Sequence, residues 1–586
     1  MRSLGACAAL FLLLGPALPA WAAYPAPVRA RQGMVVSPQA DATRAGAALL
    51  ARGGNAVDAA VATAFALAVT DAHHSGLGGG GFLLIHLADG TDVAVDARET
   101  APTTATRDMY LAEGLPENAS RRGGLAVATP GLLRGLAQAL EKYGTRTLPE
   151  VMAPAIRLAE EGFAVGPRHA ATLRFWQEKL GGARRSPAIA RRQLPPEGEG
   201  PIRAGWVLRQ PDLARSLRRI AAEGPDLFYR GELARAMVAE VQRRGGILSL
   251  EDLAGYEVKE RAPLRARYRG REVIAFPPPS SGGVALIQML QMLEGFDLAA
   301  RGPLSSAGIH VVAEAMKLAF ADRAVWLGDT DFVQVPLGRL LSSRYAAVQR
   351  RRINPPRWRR PPWTWHRDEV AIDVAGSGIP PDDAGTTHLS VADAGGNAVS
   401  ITQTINLLFG SGVLVPDTGI VLNNEMDDFS VAPGRPNAFG LVDVHGQNAV
   451  APGKRPLSSM TPTILLEDGA LFMVTGSPGG PRIITTTLLS ILNVLDHGMD
   501  VMEAISAPRY HHQWIPDRLR LEPQIPRDVV EGLRARGHPV ERASREWSSA
   551  QALVRDPATG LFHGASDPRG DGLALGPEAT RSETRP

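Results

Sequence analysis

The stretch Pro381–Ser390 reads PDDAGTTHLS, and its Gly385-Thr386-Thr387-His388 sets two hydroxyls and an imidazole directly behind a glycine. A polar loop ends there and an alternating pattern begins. Threonine favours strands, so the pair has a purely structural reading. The chemical reading starts from the weakness of a threonine hydroxyl as a nucleophile. It needs a base beside it, and its own α-amino group is one solution. That amine titrates at about 8, so much of it is neutral at physiological pH. Thr386 must then be the first residue of a second chain, made by a break between Gly385 and Thr386. The hydroxyl attacks the preceding carbonyl, the acyl group shifts from nitrogen to oxygen, and water releases it. Glycine at 385 bends freely and crowds nothing.

The elements that position this residue follow from periodicity. THLSVADAGGNAVSITQTI alternates polar and apolar residues around Ala394-Gly395-Gly396-Asn397, which predicts a hairpin. Further strands are expected at Gly419–Leu422, Thr463–Glu467 and Ala470–Thr475, and a long apolar helix at Ile484–Leu495. Upstream, Asp41–Thr70 reads as two helices broken at Gly53-Gly54, with Asn55 capping the second, buried one. GLGGGGFLLIHL matches GxGxxG formally at Gly76, Gly78 and Gly81. Its order is helix, glycines, strand, the reverse of a dinucleotide site, so it reads as a tight packed turn. Helices are expected at Leu133–Tyr143, Val151–Glu161, around Leu213-Leu217-Ile220 and Leu233-Met237-Val241, from Val284 after the rigid loop PPPSSGG, and at His310–Trp326. A helix-rich first part thus meets a strand-rich second part. Between them Arg350–Arg367, with seven arginines, four prolines and three tryptophans, reads as an extended connector, because its prolines forbid an amphipathic helix. The tail after Gly576 reads as disordered.

Composition bounds the rest. The 586 residues are 44% hydrophobic and 21% charged, ordinary for a globular protein and too many for one small core. A net charge of +3 from 63 basic and 60 acidic residues, well mixed, argues against nucleic-acid binding. Residues 1–23 read as an export signal: Arg2, the apolar run Leu4–Leu14, then Ala20-Trp21-Ala22 before cleavage near Ala22 or Ala23. The single cysteine, Cys7, leaves with that segment, so the mature chain has neither thiol chemistry nor disulfides. No later segment reaches the length of a membrane span. The protein is expected to be periplasmic or secreted. His73-His74 and His511-His512 are adjacent pairs whose side chains diverge if they lie on strands, so no metal is assigned.

Nine motifs in order set Thr386 in a wider context: GLGGGGF, DARETAP, PPPSSGG, GTTHLSV, GIVLNNEMDDFS, KRPLSSMTPT, TGSPGGPRI, APRYHHQW and GASDPRG. Together they resemble the γ-glutamyltransferase (γ-glutamyltranspeptidase) family of N-terminal-nucleophile hydrolases, from about Gly33 to Leu575. The resemblance implies an α+β fold, a four-layer αββα sandwich with two stacked antiparallel sheets. It implies a large subunit 24–385 and a small catalytic subunit 386–586 that stay together as a heterodimer, and no cofactor. Thr386 is then the nucleophile of self-cleavage and of turnover. Thr404 sets a second hydroxyl near its amine, and Gly479 and Gly480 aim backbone N–H groups at the oxyanion. Arg98, Ser458 and Ser459 take the substrate α-carboxylate; Asn406, Glu425 and Asp428 take its α-ammonium. Family members carry Gln or Glu at 425. Phe439 falls in a lid loop where lidded members commonly have Tyr, which leaves an aromatic gate without its hydroxyl.

These roles suit the chemistry. A γ-glutamyl head is a zwitterion and needs a cationic and an anionic patch a few ångströms apart. The expectation is a self-cleaving γ-glutamyl hydrolase and transferase, with glutathione as donor and water, amino acids or peptides as acceptors. One alternative is a glutaryl (cephalosporin-type) acylase of the same fold, for which Glu425 and Asp428 would be costly unpaired acids. The other is a non-catalytic exported protein that binds γ-glutamyl compounds.

Overall fold

The computed structural model describes residues 24–577 apart from 197, 199, 354–383 and 433. The signal segment, nearly all of the basic connector and the tail after 577 lie outside the described residues.

Two seven-stranded antiparallel sheets form the centre. The first is built around the predicted hairpin, Ala384–Asp393 paired with Ala398–Leu407. Gly33–Ser37 and then Leu573–Leu575 extend it on one side; Gly80–His86, Asp92–Ala97 and Lys259–Arg261 extend it on the other. The second runs Val28–Ala30, Phe562–Ser566, Gln551–Arg555, Ala470–Gly476, Thr463–Glu467, Arg271–Ala275, Leu264–Tyr268.

Strand alternation explains why the sheets stack. Met34, Phe82, Leu84, Ile274, Ile464 and Val474 share one core between the sheets. Their neighbours Val35, Leu83 and Ile85 face outward into a core shared with the helices Ala40–Ala51, Ala56–Thr70 and Leu132–Tyr143. Val273, Leu465 and Met473 face the helices Gly282–Leu293, Ser306–Trp326 and Arg482–Leu495. The result is helix, sheet, sheet, helix, with the central strands buried on both faces and edge strands such as Val28–Ala30 and Leu264–Tyr268 partly exposed.

Local signals set the pieces. Asn55 caps the helix Ala56–Thr70, its side chain accepting from Asp58 N while Asp58 accepts from Asn55 N. The glycine turn is tight because a Cβ at Gly78 would lie 2.1 Å from Val421 O and one at Gly79 1.9 Å from Thr404 O. The helix after PPPSSGG starts at Gly282, two residues before the predicted Val284.

Among the described residues most helices precede Ala384, and the two seven-stranded sheets each combine strands from both chain parts, seven from before Ala384 and seven from Ala384 onward in all. Two expectations are corrected. Gly419–Leu422 is no strand: Val415 N and Leu422 N bond across a short turn to Ile420 O and Val413 O, and only isolated bridges form. His73 and His74 lie in a turn after the helix Ala56–Thr70, so their side chains do not diverge as on a strand.

Candidate active site

Thr386 lies opposite Thr404 in the hairpin, and the ladder shifts register between Gly385 and Thr386. The two hydroxyl oxygens are 3.1 Å apart. Thr404 donates to the carbonyl oxygen of Gly385 at 2.6 Å and accepts from Asn406 N–H at 2.8 Å. A hydroxyl has one proton and two lone pairs. With its proton on Gly385, Thr404 can only accept from Thr386. Thr404 therefore holds the Thr386 proton and polarises the carbonyl that Thr386 would attack.

His388 takes no part in this. Its ring nitrogens meet Thr402 at 2.8 Å and Ser390 at 3.2 Å, and burial lowers it to about 3, so it stays neutral between the sheets.

Thr386 borders two cavities. The first gathers Arg98, Thr404, Asn406, Glu425, Asp428, Phe439, Ser458, Ser459 and Gly480 around it. Arg98, wholly buried at the end of Asp92–Ala97, donates Nη1 to Glu425 and Nη2 to Asp428. Its Nε donates to Pro456 O at 3.1 Å. The cationic and anionic groups are thus in direct contact rather than a few ångströms apart. Burial alone lowers Arg98, but Glu425, Asp428 and Glu99 more than offset this and hold it above the usual arginine value. Burial raises Glu425 and Asp428, with Arg98 opposing.

Asn406 adopts φ +75°, tolerable for asparagine, and donates its side-chain amide to Asn424 O. Ser458 sits where its carbonyl accepts from Ser281, N–H and hydroxyl alike. Gly479 and Gly480 have φ of +130° and +58°, and their carbonyls accept from Arg482 N and Ile483 N at the start of Arg482–Leu495. Gly480 borders the first cavity and Gly479 the second. Phe439 lies over Gly480, where a Cβ would come 2.8 Å from its ring, and Gln513 Nε2 donates to Phe439 O at 3.1 Å.

Several supporting residues carry no separate role in the sequence reading. Asn423 donates to Gly78 O and Ala128 O, and its Oδ1 accepts from Ala128 N and Glu425 N, which fixes Glu425. Glu99 is wholly buried, 3.5 Å from Arg98, with neither carboxylate oxygen hydrogen-bonded among the described residues. Burial pushes it up to about 7, against the pull of Arg98. Arg323 is a second buried cation, lowered to about 10 by burial and drawn back by Asp428 and Asp443; its Nε donates to Ser281. Asn423 and Glu99 stand inside the motifs NNEMDD and DARE, which is the one signal that pointed at them.

The second cavity is lined by Asp71, His73, His74, His169, Thr387 and Gly479 besides Thr386. Desolvation holds His73 well below, and His169 at about 4 against, the usual histidine value.

Two stacked antiparallel sheets between helices, with a threonine hydroxyl near the start of a central strand beside the peptide carbonyl that precedes it, define an N-terminal-nucleophile hydrolase. The profile described as Gamma-glutamyltranspeptidase matches residues 42–576, and the chain belongs to that family. It is 45% identical over 555 residues to a glutathione hydrolase proenzyme of Escherichia coli (strain K12), covering 94% of this chain and 93% of that protein. It is 41% identical over 558 residues to an acylase ACY 1 proenzyme of Pseudomonas sp. (strain SE83), covering 94% of each. A crystal structure of cephalosporin acylase from Bacillus halodurans superposes with a TM-score of 0.82 at 31% identity, over 96% of this chain and 99% of that one.

Proposed function

We propose that this protein cleaves itself between Gly385 and Thr386 and then acts as a γ-glutamyl hydrolase and transferase. The observation that carries the reading is the buried contact of Arg98 with both Glu425 and Asp428 in the cavity that Thr386 borders. A lone cation suits any carboxylate. A cation bracketed by two acids suits a zwitterion, which exchanges partners with them. The substrate α-carboxylate takes the Arg98 fork, with Ser458 and Ser459 beside it. The α-ammonium takes Glu425 and Asp428, with Asn406 near.

In processing, Thr386 Oγ bonds to the Gly385 carbonyl carbon while Thr404 stabilises the oxygen. The Gly385–Thr386 amide then breaks and its nitrogen takes the proton that left Oγ. Water hydrolyses the ester, leaving Gly385 as a carboxylate and Thr386 with a free amine and hydroxyl. In turnover the Thr386 amine serves as base, the hydroxyl attacks the γ-amide, and the amine of the leaving group departs with a proton. Water, an amino acid or a peptide then takes the glutamyl group. Gly479 and Gly480 N–H groups stabilise the tetrahedral oxygen. Glutathione fits as donor.

The subunits are 24–385 and 386–586, held together because each sheet alternates strands from both. Among the described residues no helix is long and apolar enough to cross a membrane. Export rests on residues 1–23, and Phe439 is assigned the gate.

A glutaryl acylase is the second reading, supported by the likeness to the two acylases. Glutaryl lacks an ammonium, so it leaves Glu425 and Asp428 without the partner they would exchange for Arg98. Intact mass and parallel kinetics on γ-glutamyl and glutaryl anilides test both readings. An uncut, inactive chain overturns the enzyme reading in favour of a binding protein, and preference for the glutaryl anilide overturns the glutamyl one.

A further inference from the structure

The turn after the helix Ala56–Thr70 brings three donors together. Asp71 Oδ1 stands 3.4 Å from His73 Nε2 and 3.0 Å from His74 Nδ1, and one donor atom of each residue lies within 4.8 Å of the others. His169, from the helix Pro167–Glu178, stacks on His73 with ring centroids 4.2 Å apart and planes at 22°. His169 is 2% exposed, and neither of its nitrogens has a hydrogen-bond partner among the described residues; His73 Nδ1 has none either. Buried polar atoms left so need a reason.

We propose that Asp71, His73 and His74 bind a divalent transition-metal ion of the Zn2+ class, with water in the fourth position. Imidazoles with one carboxylate suit zinc, copper or nickel rather than magnesium or calcium. A tetrahedral ion with bonds of about 2.0–2.1 Å sets its ligand atoms about 3.3–3.4 Å apart, near the separations already present around Asp71. The helix Ala56–Thr70 ends at Asp71, and the carbonyl end of a helix favours a cation. Of the other charged groups on this cavity, Arg569 is engaged by Glu522 and Asp567, while Asp571 accepts from Arg168 N and His169 N. A second histidine cluster, His310, Glu314 and His538, is a poorer site. Its two rings are bonded to each other at 2.7 Å, and Lys317 already stands 3.2 Å from Glu314.

The ion would occupy the cavity that Thr386, Thr387 and Gly479 also line, so it obstructs rather than supplies chemistry, and it slows turnover reversibly. Binding does not depend on the proposed reaction; only the inhibition does.

The test uses full-length protein without a histidine tag, dialysed against ZnCl2 and analysed for bound metal, with Co2+ as an optical probe. One equivalent of zinc is expected, undisturbed by excess Mg2+ and weakened about tenfold or more by His74→Ala and by His73→Phe, the latter keeping the ring stack on His169. His538→Ala is expected to bind as the parent does. Melting curves in chelator verify that the variants are folded. No stoichiometric zinc at millimolar concentration, equal affinity in both variants, or loss confined to His538→Ala overturns the site. Zinc bound with unchanged kcat/KM for a γ-glutamyl anilide overturns its link to Thr386.

Discussion

Replacing Thr404 by Val keeps the shape of the hairpin and removes one hydroxyl that makes three bonds. It donates to Gly385 O at 2.6 Å and accepts from Thr386 Oγ at 3.1 Å and Asn406 N at 2.8 Å. When Thr386 attacks, the Gly385 oxygen gains charge, and a pre-aimed donor at such an oxygen is worth about 10²–10³ in rate, or about 2.7–4 kcal/mol. The resting state also loses, since Asn406 N–H is left buried without a partner at a cost of about 1–3 kcal/mol. Thr404→Val is therefore expected to fold with a lower melting temperature and to process about two orders of magnitude more slowly. Thr404→Ser restores the hydroxyl and most of the rate. The assay follows the share of cut chain with time by gel and intact mass at neutral pH, beside a thermal melt. A folded Thr404→Val protein that processes within about threefold of the parent would refute the reasoning.

Four other outcomes are expected. Thr386→Ala stays one chain without turnover, whereas Thr386→Ser still cuts, as intact mass will show. Arg98→Lys replaces a two-pronged fork with a point charge and leaves Glu425 or Asp428 unpaired, so kcat/KM for a γ-glutamyl anilide falls by about 10²-fold or more. Gly480→Ala drives a Cβ to 2.8 Å from the Phe439 ring at φ +58°, and steady-state kinetics are expected to find it nearly inactive even where it is cut. Glu99 gives a pH signature. Its folded value of about 7 lies above the unfolded carboxylate value of about 4.3, so between them the folded protein keeps a proton that the unfolded chain has lost. Its contribution is complete below about pH 4.3 and fades as pH rises through 7, by an amount on the order of 3 kcal/mol. Glu99→Gln flattens that loss, and denaturant midpoints of parent and variant at about pH 5 and about pH 8 measure it.

Much of the local structure was legible because it depends on neighbours in the chain. The Asn55 cap, the reversal at Gly395-Gly396 and the alternation of Leu83, Leu84 and Ile85 are written in windows of a few residues. The Gly419–Leu422 expectation failed for the same reason. Its apolar run looks like a strand, yet nothing beside it supplies a ladder beyond isolated bridges. His73-His74 was misplaced because adjacent residues diverge only on a strand, and here the chain turns at the end of a helix.

The sequence by itself determined where the chemistry resides: a glycine before a threonine at a strand start, and motifs that single out Arg98, Glu425 and Asp428. It also determined the helices and strands that carry them. Only the tertiary structure decided the pairing. Arg98 meets Glu425 and Asp428 across 327 and 330 residues, and Asn423 ties Glu425 to Gly78 across 345. No local pattern encodes such contacts. They arise because burial removes water from charged and polar groups and leaves them only each other as partners.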